Sequence, residues 1–466
     1  MLVIRVVVVH GPNGRHGCCD KTDMEDDKMV RVHHSSRAHV LSAVAVMLGL
    51  VASAGAGEVR YAVHWSTVWA TAMVRSPVPA NAIRRVVQAA PQLSHQTLRQ
   101  MIVVSAGGSR IRVILSNNFG KLPLRIYAAS IGRLLVGGKN GQIAAATLRV
   151  LRFGGRRDVI VPPGAERYSD PVHLQIHAGN VVAVSLYVAG VATPSTWQPD
   201  ARWNNLISPP GDYTDKPVMP VERETGATMW LAGLQVETRR PLPVLVALGD
   251  SITNGYRSNV DAAESYPQQL ARRLHDIYPT CRLAIIDMGI DGNEMSERDG
   301  DYGPGESMVR RFKRDVLDQS GVRYVILLGG INDIGETTMA LRAEGKRLDA
   351  RSAQIIAARV IAAQRKLVEQ AHAANVRIFG ATLLPFKGTQ GAYSRAGDQA
   401  RREVNDWIRE HAPFNAVIDF AAALRDPSDH ARLRPRLDSG DHIHPNDRGY
   451  GVMAKSVRPS LVGCKR

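Results

Sequence analysis

Cysteine is scarce in this chain. Four occur in 466 residues, and two of them, Cys18 and Cys19, stand side by side near the N-terminus. No Cys/His cluster has the spacing of a zinc site, and His33-His34 is a leader pair, not a metal site. Long apolar runs are also missing. The stretch Val40 to Val51 is too short for a comfortable bilayer span, and nothing after it is apolar enough to cross. Stable membrane insertion of the mature chain is therefore not expected. There are no internal repeats and no long low-complexity linker. Negative charge is in short supply: 59 Lys and Arg face 43 Asp and Glu, a formal net charge of +16. Such a balance admits nucleic acid, anionic polysaccharide or a membrane surface as partner. The excess is mostly dispersed arginine, however, and no helix-turn-helix, zinc-finger or RNA-binding signature accompanies it. A nucleic-acid partner is not expected.

What is present begins with a targeting layout. Met29 to Arg37 is basic, Val40 to Val51 is apolar, and Ala52-Ser53-Ala54 offers a small-x-small cleavage site. This is the order of a secretory signal peptide, against the alternative of a buried N-terminal helix. Residues 29–54 are expected to be removed, leaving a secreted or periplasmic protein that begins near Gly55. The acidic stretch Asp20 to Asp27 sits oddly before such a signal, so residues 1–28 read as a doubtful leader, with translation starting at Met24 or Met29. Export would leave Cys281 and Cys464 in an oxidising compartment, where they could form one disulfide.

The length favours two domains, and an apolar content of 44% is enough for a sizeable core. Residues 58–240 carry short alternating strands, such as Ile111 to Leu115, Leu124 to Ala128, Val159 to Val161, Val172 to Ile176 and Val181 to Val188, separated by Gly, Pro and Asn signals. That rhythm predicts a β-sandwich or jelly roll, with at most one helix, near Ile83 to Ala90. Trp65, Trp69, Trp197 and Trp203 can stack on sugar rings or, more simply, pack its core. Pro241 and Pro243 mark a boundary. Residues 241–466 then alternate strands (244–248, 283–287, 324–329, 376–382, 416–419) with helices (265–277, 352–373, 398–411), which predicts a parallel sheet covered on both faces. In 352–373, Ile355, Ile356, Ala363, Leu367 and Ala371 suggest the buried face, with Arg359, Arg365 and Lys366 turned elsewhere.

Chemistry gathers at the strand ends of this second region. Val244 to Leu248 runs into Gly249-Asp250-Ser251. A serine just past the carboxyl end of a parallel strand can be a nucleophile if a base reaches it; it can also merely cap the next helix. Near the C-terminus, Asp441-His442-Ile443-His444-Pro445 places an acid three residues before a histidine, the spacing for a base and the group that orients it. Leu283 to Asp287 runs into Gly289-Ile290-Asp291-Gly292-Asn293, and Tyr324 to Leu328 into Gly330-Ile331-Asn332-Asp333. The Ser251 and Gly292 backbone N–H groups and the Asn332 side-chain amide are donors of the kind that stabilise an oxyanion.

These four blocks, in this order, resemble those of the SGNH hydrolases, also called the GDSL esterase/lipase family. The resemblance covers about residues 242–460. It implies a flavodoxin-like three-layer α/β/α domain with a five-stranded parallel sheet, preceded here by the β-sandwich (jelly-roll-like) domain. It implies Ser251 as nucleophile, His444 as base with Asp441 behind it, and Ser251, Gly292 and Asn332 as the oxyanion hole, with no cofactor and no metal. Family members often carry Ser or Gly where Asp291 stands and Arg where Glu294 stands. Two acids there could lower activity or select a polar substrate. The G-x-S-x-G elbow of α/β-hydrolases is absent. The expected activity is hydrolysis of small acyl esters, acetyl foremost, on a small molecule or polysaccharide. The strand rhythm of 58–240 is similar to that of extra sandwich domains in bacterial carbohydrate-active esterases. Alternatives are a short-chain lipase or lysophospholipase, an acyltransferase using the same acyl-enzyme, and a sugar-binding protein with a decayed site.

Overall fold

A computed structural model describes residues 63–78, 88–139, 141–297 and 304–465. The leader (1–28) and the signal peptide (29–54) lie outside the described residues. Of the helix expected over 83–90 only the end is described, and there Gln88 pairs with Val78 in a β-bridge.

Residues 64–238 build two main antiparallel sheets. One runs His64–Ala70, Leu231–Thr238, Gly108–Ser116, Glu166–Tyr168, with Val172–Ile176 also paired to Gly108–Ser116. The other runs Arg223–Thr225, Asn205–Pro210, Gln96–Val103, Val181–Tyr187, Ala128–Arg133, Arg149–Val150. Side chains alternate across a strand. In Gly108–Ser116 the alternating Ile111, Val113 and Leu115 are fully buried, and they join Leu98, Ile102, Val182, Val184 and Leu186 of the other sheet in one cluster. The tryptophans divide. Trp197 is buried, and Trp65 lies under the Arg112 guanidinium at 4.2 Å. Trp69 and Trp203 line a cavity of about 460 Å³ that faces Pro267, Arg272 and Asp287 of the second region.

Past Pro243 the architecture changes. Strands β1 (Val244–Gly249), β2 (Ala284–Gly289), β3 (Val322–Leu328), β4 (Arg377–Ala381) and β5 (Ala416–Ile418) form a parallel sheet in the order β2-β1-β3-β4-β5. This is the flavodoxin-like order. Every residue of β1 is buried, as expected of an unbroken apolar run in a sheet covered on both faces. The helices are α1 (Ser251–Asn254), α2 (Tyr266–Ile277), α3 (Met308–Phe312), α4 (Ile331–Ala343), α5 (Ala350–Ala373), α6 (Arg395–Glu410), α7 (Phe420–Leu424) and α8 (Asp447–Ser456). Among the described residues, no helix is long and apolar enough to cross a membrane.

Helix α5 corrects one sequence expectation. Its buried stripe is Ala353, Ile356, Ala357, Val360, Ala363, Gln364, Leu367, Val368 and Ala371, whereas Ile355 is 59% exposed. At 100° per residue Ile355 falls outside that stripe. Helices α4 and α8 had not been read from the sequence. In α4 the first six residues, Ile331 to Glu336, are all buried, so polar and apolar positions do not alternate with a helical period there.

The two regions are continuous. One cluster of buried apolar residues spans both, and the described residues fall within one compact unit. Strand β2 is the edge of the parallel sheet, and the Ile285 N–H donates to Ser105 Oγ at 2.9 Å, so the antiparallel region covers that edge. Thr67 N–H donates to Ser320 O at 2.9 Å, and Gln235 Nε2 to Ser320 Oγ at 2.8 Å. Cys281, just past α2, is disulfide-bonded to Cys464, 183 residues away in sequence.

Candidate active site

Strand register sets the site. Gly249 lies level with Gly289 on β2 and with Leu328 on β3. Three strands therefore end together, and their exit loops carry Ser251, Gly292 and Asn332 to one edge of the sheet. Helix α1 is held tight against the end of β2: a Cβ on Gly289 would lie 2.3 Å from the Asn254 backbone N, so only glycine fits there. Asp250 caps α1, its carboxylate accepting from the Ile252 N–H at 2.9 Å. Ser251 is thus the first helical residue and not the cap.

The loop before α8 supplies the histidine. His444 Nε2 lies 2.8 Å from Ser251 Oγ, and His444 Nδ1 lies 2.8 Å from Asp441 Oδ2. Asp441 Oδ1 accepts the backbone N–H groups of His444 at 2.9 Å and Ile443 at 3.2 Å, so the acid shapes the turn as well as facing the ring. His442 is paired differently. Its φ is +68°, and its Nδ1 lies 2.7 Å from Asp438 Oδ2. Its ring packs over Gly388, where a Cβ would sit 2.8 Å away. The positive φ turns its side chain out of the direction taken by His444, which is why two adjacent Asp–His pairs do not both reach Ser251. Tyr256 meets the His444 ring edge-on, with centroids 4.8 Å apart.

The third group is the loop after β2. Gly292 adopts φ +75°, and Asn332, the second residue of α4, sends one amide hydrogen to Asn293 O at 2.9 Å. Ser251, Gly292, Asn332 and His444 line one cavity of about 930 Å³, whose wall includes Arg257 and Gln390.

Residues 247–452 match the GDSL-like Lipase/Acylhydrolase family. This region is a GDSL-like lipase/acylhydrolase domain. Among solved structures, the GDSL domain is similar to a protein of the G-D-S-L family from Desulfitobacterium hafniense DCB-2, at 22% identity over 47% of this chain and 98% of that one, TM-score 0.32. It is also similar to an acetylxylan esterase from Geobacillus stearothermophilus, at 21% identity over 48% of this chain and 98% of that one, TM-score 0.34. A GDSL-like lipase from Bacteroides thetaiotaomicron VPI-5482 matches at 17% identity over 47% and 87%, TM-score 0.32. No curated protein matches the chain.

Several residues that support the GDSL site carried no recognised signal in the sequence. Arg311, fully buried on α3, donates to Gly249 O and Met288 O at 2.8 Å each and to Asn293 Oδ1 at 3.0 Å. It thereby ties the ends of β1 and β2 to the Gly292 loop, and Asp315 balances its charge at 3.0 Å. Asp333 stood in a quoted block without a role. It accepts the Met295 and Ser296 N–H groups at 2.8 and 3.1 Å and holds the far side of the same loop. Of the two departures from the family pattern, Glu294 is buried and Asp291 lines the cavity.

The electrostatics differ from acid to acid. Burial alone would raise the Asp441 pKa. Its hydrogen bond to His444, the charge of that ring and the two backbone N–H groups outweigh burial and hold the carboxyl well below the ordinary range. Asp250 is fully buried with one oxygen unpartnered, and burial pushes it up to about 7. Among the described residues, no group of three or more His, Cys, Asp or Glu is arranged to hold a metal ion.

Proposed function

We propose that this chain is a secreted serine esterase that removes small acyl groups, acetyl foremost, from a polysaccharide or a small polyol. The observation that carries the catalytic reading is the continuous hydrogen-bonded series Ser251 Oγ, His444 Nε2, His444 Nδ1, Asp441 Oδ2, with links of 2.8 Å each. In this reading Ser251 attacks the ester carbonyl while His444 takes its proton. Asp441, ionised because its pKa is held low, fixes the ring's tautomer and stabilises the imidazolium. The Ser251 and Gly292 N–H groups and the second amide hydrogen of Asn332 receive the oxyanion; loss of one such donor typically costs about 10²–10³ in rate. His444 then protonates the departing alcohol, and water, activated by the same ring, releases the acid.

The substrate class rests on the cavity. It is wide for an acetyl group alone, and Arg257, Gln390, His442 and Asp291 give it polar walls. These features suit hydroxyl-rich alcohols better than long acyl chains. Export is supported by the basic and apolar N-terminal layout and by the Cys281–Cys464 disulfide, a bond suited to an oxidising compartment.

The test is a panel of p-nitrophenyl acyl esters and acetylated polysaccharides with purified protein, alongside Ser251→Ala. Hydrolysis that falls with acyl length and vanishes in the folded Ser251→Ala variant is expected. A fluorophosphonate should label Ser251 in the parent. Full turnover by the Ser251→Ala variant would overturn the assignment. N-terminal sequencing of protein from the native host tests export, and a product retaining Met29 to Ala54 would refute it.

A further inference from the structure

Asp291 precedes Gly292, yet the esterase mechanism gives it no part. Its Oδ1 accepts from Asn254 Nδ2 at 2.9 Å, and the charge of Asp200 acts on its carboxyl. A carboxyl group buried beside another acid resists ionising, which favours its protonated form. Asp200 belongs to the antiparallel region, just past the strand Thr196–Gln198. Its carboxylate is ion-paired with Arg202 at 3.2 Å, and its backbone O accepts from the same Asn254 Nδ2 at 2.9 Å. Asn254 closes α1, the helix that Ser251 opens. One residue thus touches both acids and sits one turn from the nucleophile. Gln198 adds a parallel tie, donating to Gly289 O at 3.0 Å.

From this placement we infer that Asp200 and Asp291, bridged by Asn254, are positioning residues that hold the Gly292 N–H in register with Ser251. The inference rests on the roles proposed above for Ser251 and Gly292. The antiparallel region is then part of the catalytic scaffold, because one partner of the pair comes from it. Burial, followed by the neighbouring Asp200 charge, drives the Asp291 pKa well above the ordinary carboxyl range. The titratable and charged groups facing the pair are Arg202 on its own loop, Tyr450 on α8 and, across the cavity, Arg257, Asp441 and His444. When Asp291 loses its proton, a second negative charge is set beside Asp200 in a partly dry site, and the loop carrying Gly292 loses its anchor.

The experiment compares steady-state kinetics of the parent, Asp291→Ala, Asp200→Ala and Asp291→Asn across about pH 5–10 on a p-nitrophenyl acetate assay, with melting curves for each. Both alanine variants should lower kcat by about 10–100-fold with KM changed less than about twofold, as displacement of a transition-state donor does. Asp291→Asn keeps a donor toward Asp200 and an acceptor for Asn254. It should recover most of that loss at neutral pH, and its kcat relative to the parent should rise with pH as Asp291 of the parent gives up its proton. Parental kcat in Asp291→Ala, or an Asn-to-parent ratio that is flat with pH, would overturn the proposal. If the alanine variants melt before assay temperature, the Asn ratio alone decides. Should the parent neither hydrolyse the ester nor accept a fluorophosphonate on Ser251, the esterase reading fails instead of this one.

Discussion

Two fully buried arginines show how differently the two regions use the same residue. In the antiparallel region Arg99 donates to Ser185 Oγ and to the carbonyls of Gly141, Pro217 and Lys216, and burial lowers its pKa to about 10. It pins loops to the sheet that carries it. In the parallel region Arg311 donates to the carbonyls of Gly249 and Met288 and to Asn293. A buried guanidinium seeks carbonyls in both cases, since each unpaired buried polar group is costly. Their location decides the outcome. At the carboxyl edge of a parallel sheet the last carbonyls point toward the ligand crevice, so the cation that satisfies them also organises the strand end before Ser251 and the Gly292 loop. The contrast teaches that burial and hydrogen bonding alone do not mark a functional residue; the strand end it serves does.

The sharpest way to break the comparison is to look for chemistry away from that edge. His444→Ala should lower kcat/KM by about 10³ or more, as removal of a triad member does. His442→Ala, which loses a ring held by Asp438 but not one facing Ser251, should lose about tenfold or less. The reverse ranking in two folded variants would mean that the pairs have been assigned to the wrong tasks.

Arg311→Met and Arg99→Met test the arginines directly. The first removes a donor from the strand-end carbonyls and one of the two arginines paired with buried Asp315, and should cost about 3–5 kcal/mol of stability along with most activity. The second leaves neutral carbonyls only and should cost about 1–3 kcal/mol, with kcat/KM retained in the folded fraction. Denaturant titration and esterase assay of both variants separate the cases. Equal activity losses would erase the distinction between the regions.

Asp250→Asn sharpens it through pH. The Asp250 folded pKa, about 7, exceeds the unfolded value of about 3.9. The folded state therefore binds the extra proton, and parent stability should fall as pH rises from about 4 to about 7. The variant should lack that part of the slope, a difference of up to about 4 kcal/mol at the high end. Parallel stability curves for the two proteins would refute it. A smaller effect, about 2–4 kcal/mol, is expected for Cys281→Ser with Cys464→Ser, which frees the C-terminal end without touching the site. Activity at low temperature should survive, and melting by calorimetry should move down.

Much of the fold was legible because its signals are local. Val244 to Leu248, an apolar run closed by a Gly and polar turn, reads as a buried strand and is one, and the helix expected over 398–411 lies at Arg395–Glu410. The five site residues were legible as types at strand exits and at Asp-x-x-His spacing. Ile355 misled because an apolar residue beside an apolar stripe looks like part of it, and α4 was missed because burial of its first two turns erased the helical period. Asp200, Arg311 and Asp333 gave no usable cue. Their partners are remote in sequence, Asp200 and Asp291 being in different sheets' loops and Arg311 reaching back to Gly249.

By itself the sequence determined the succession of the parallel strands, the change of architecture at Pro241 to Pro243, and which side chains stand where those strands end. Those follow from hydrophobic period and turn chemistry, which are written residue by residue. Only the tertiary structure decided that His442 pairs with Asp438, that Cys281 meets Cys464, and that a loop of the antiparallel region approaches Asp291 through Asn254. Each of these is a contact made by the register of strands and the closing of long loops, and no local pattern encodes which distant partner a buried polar group will find.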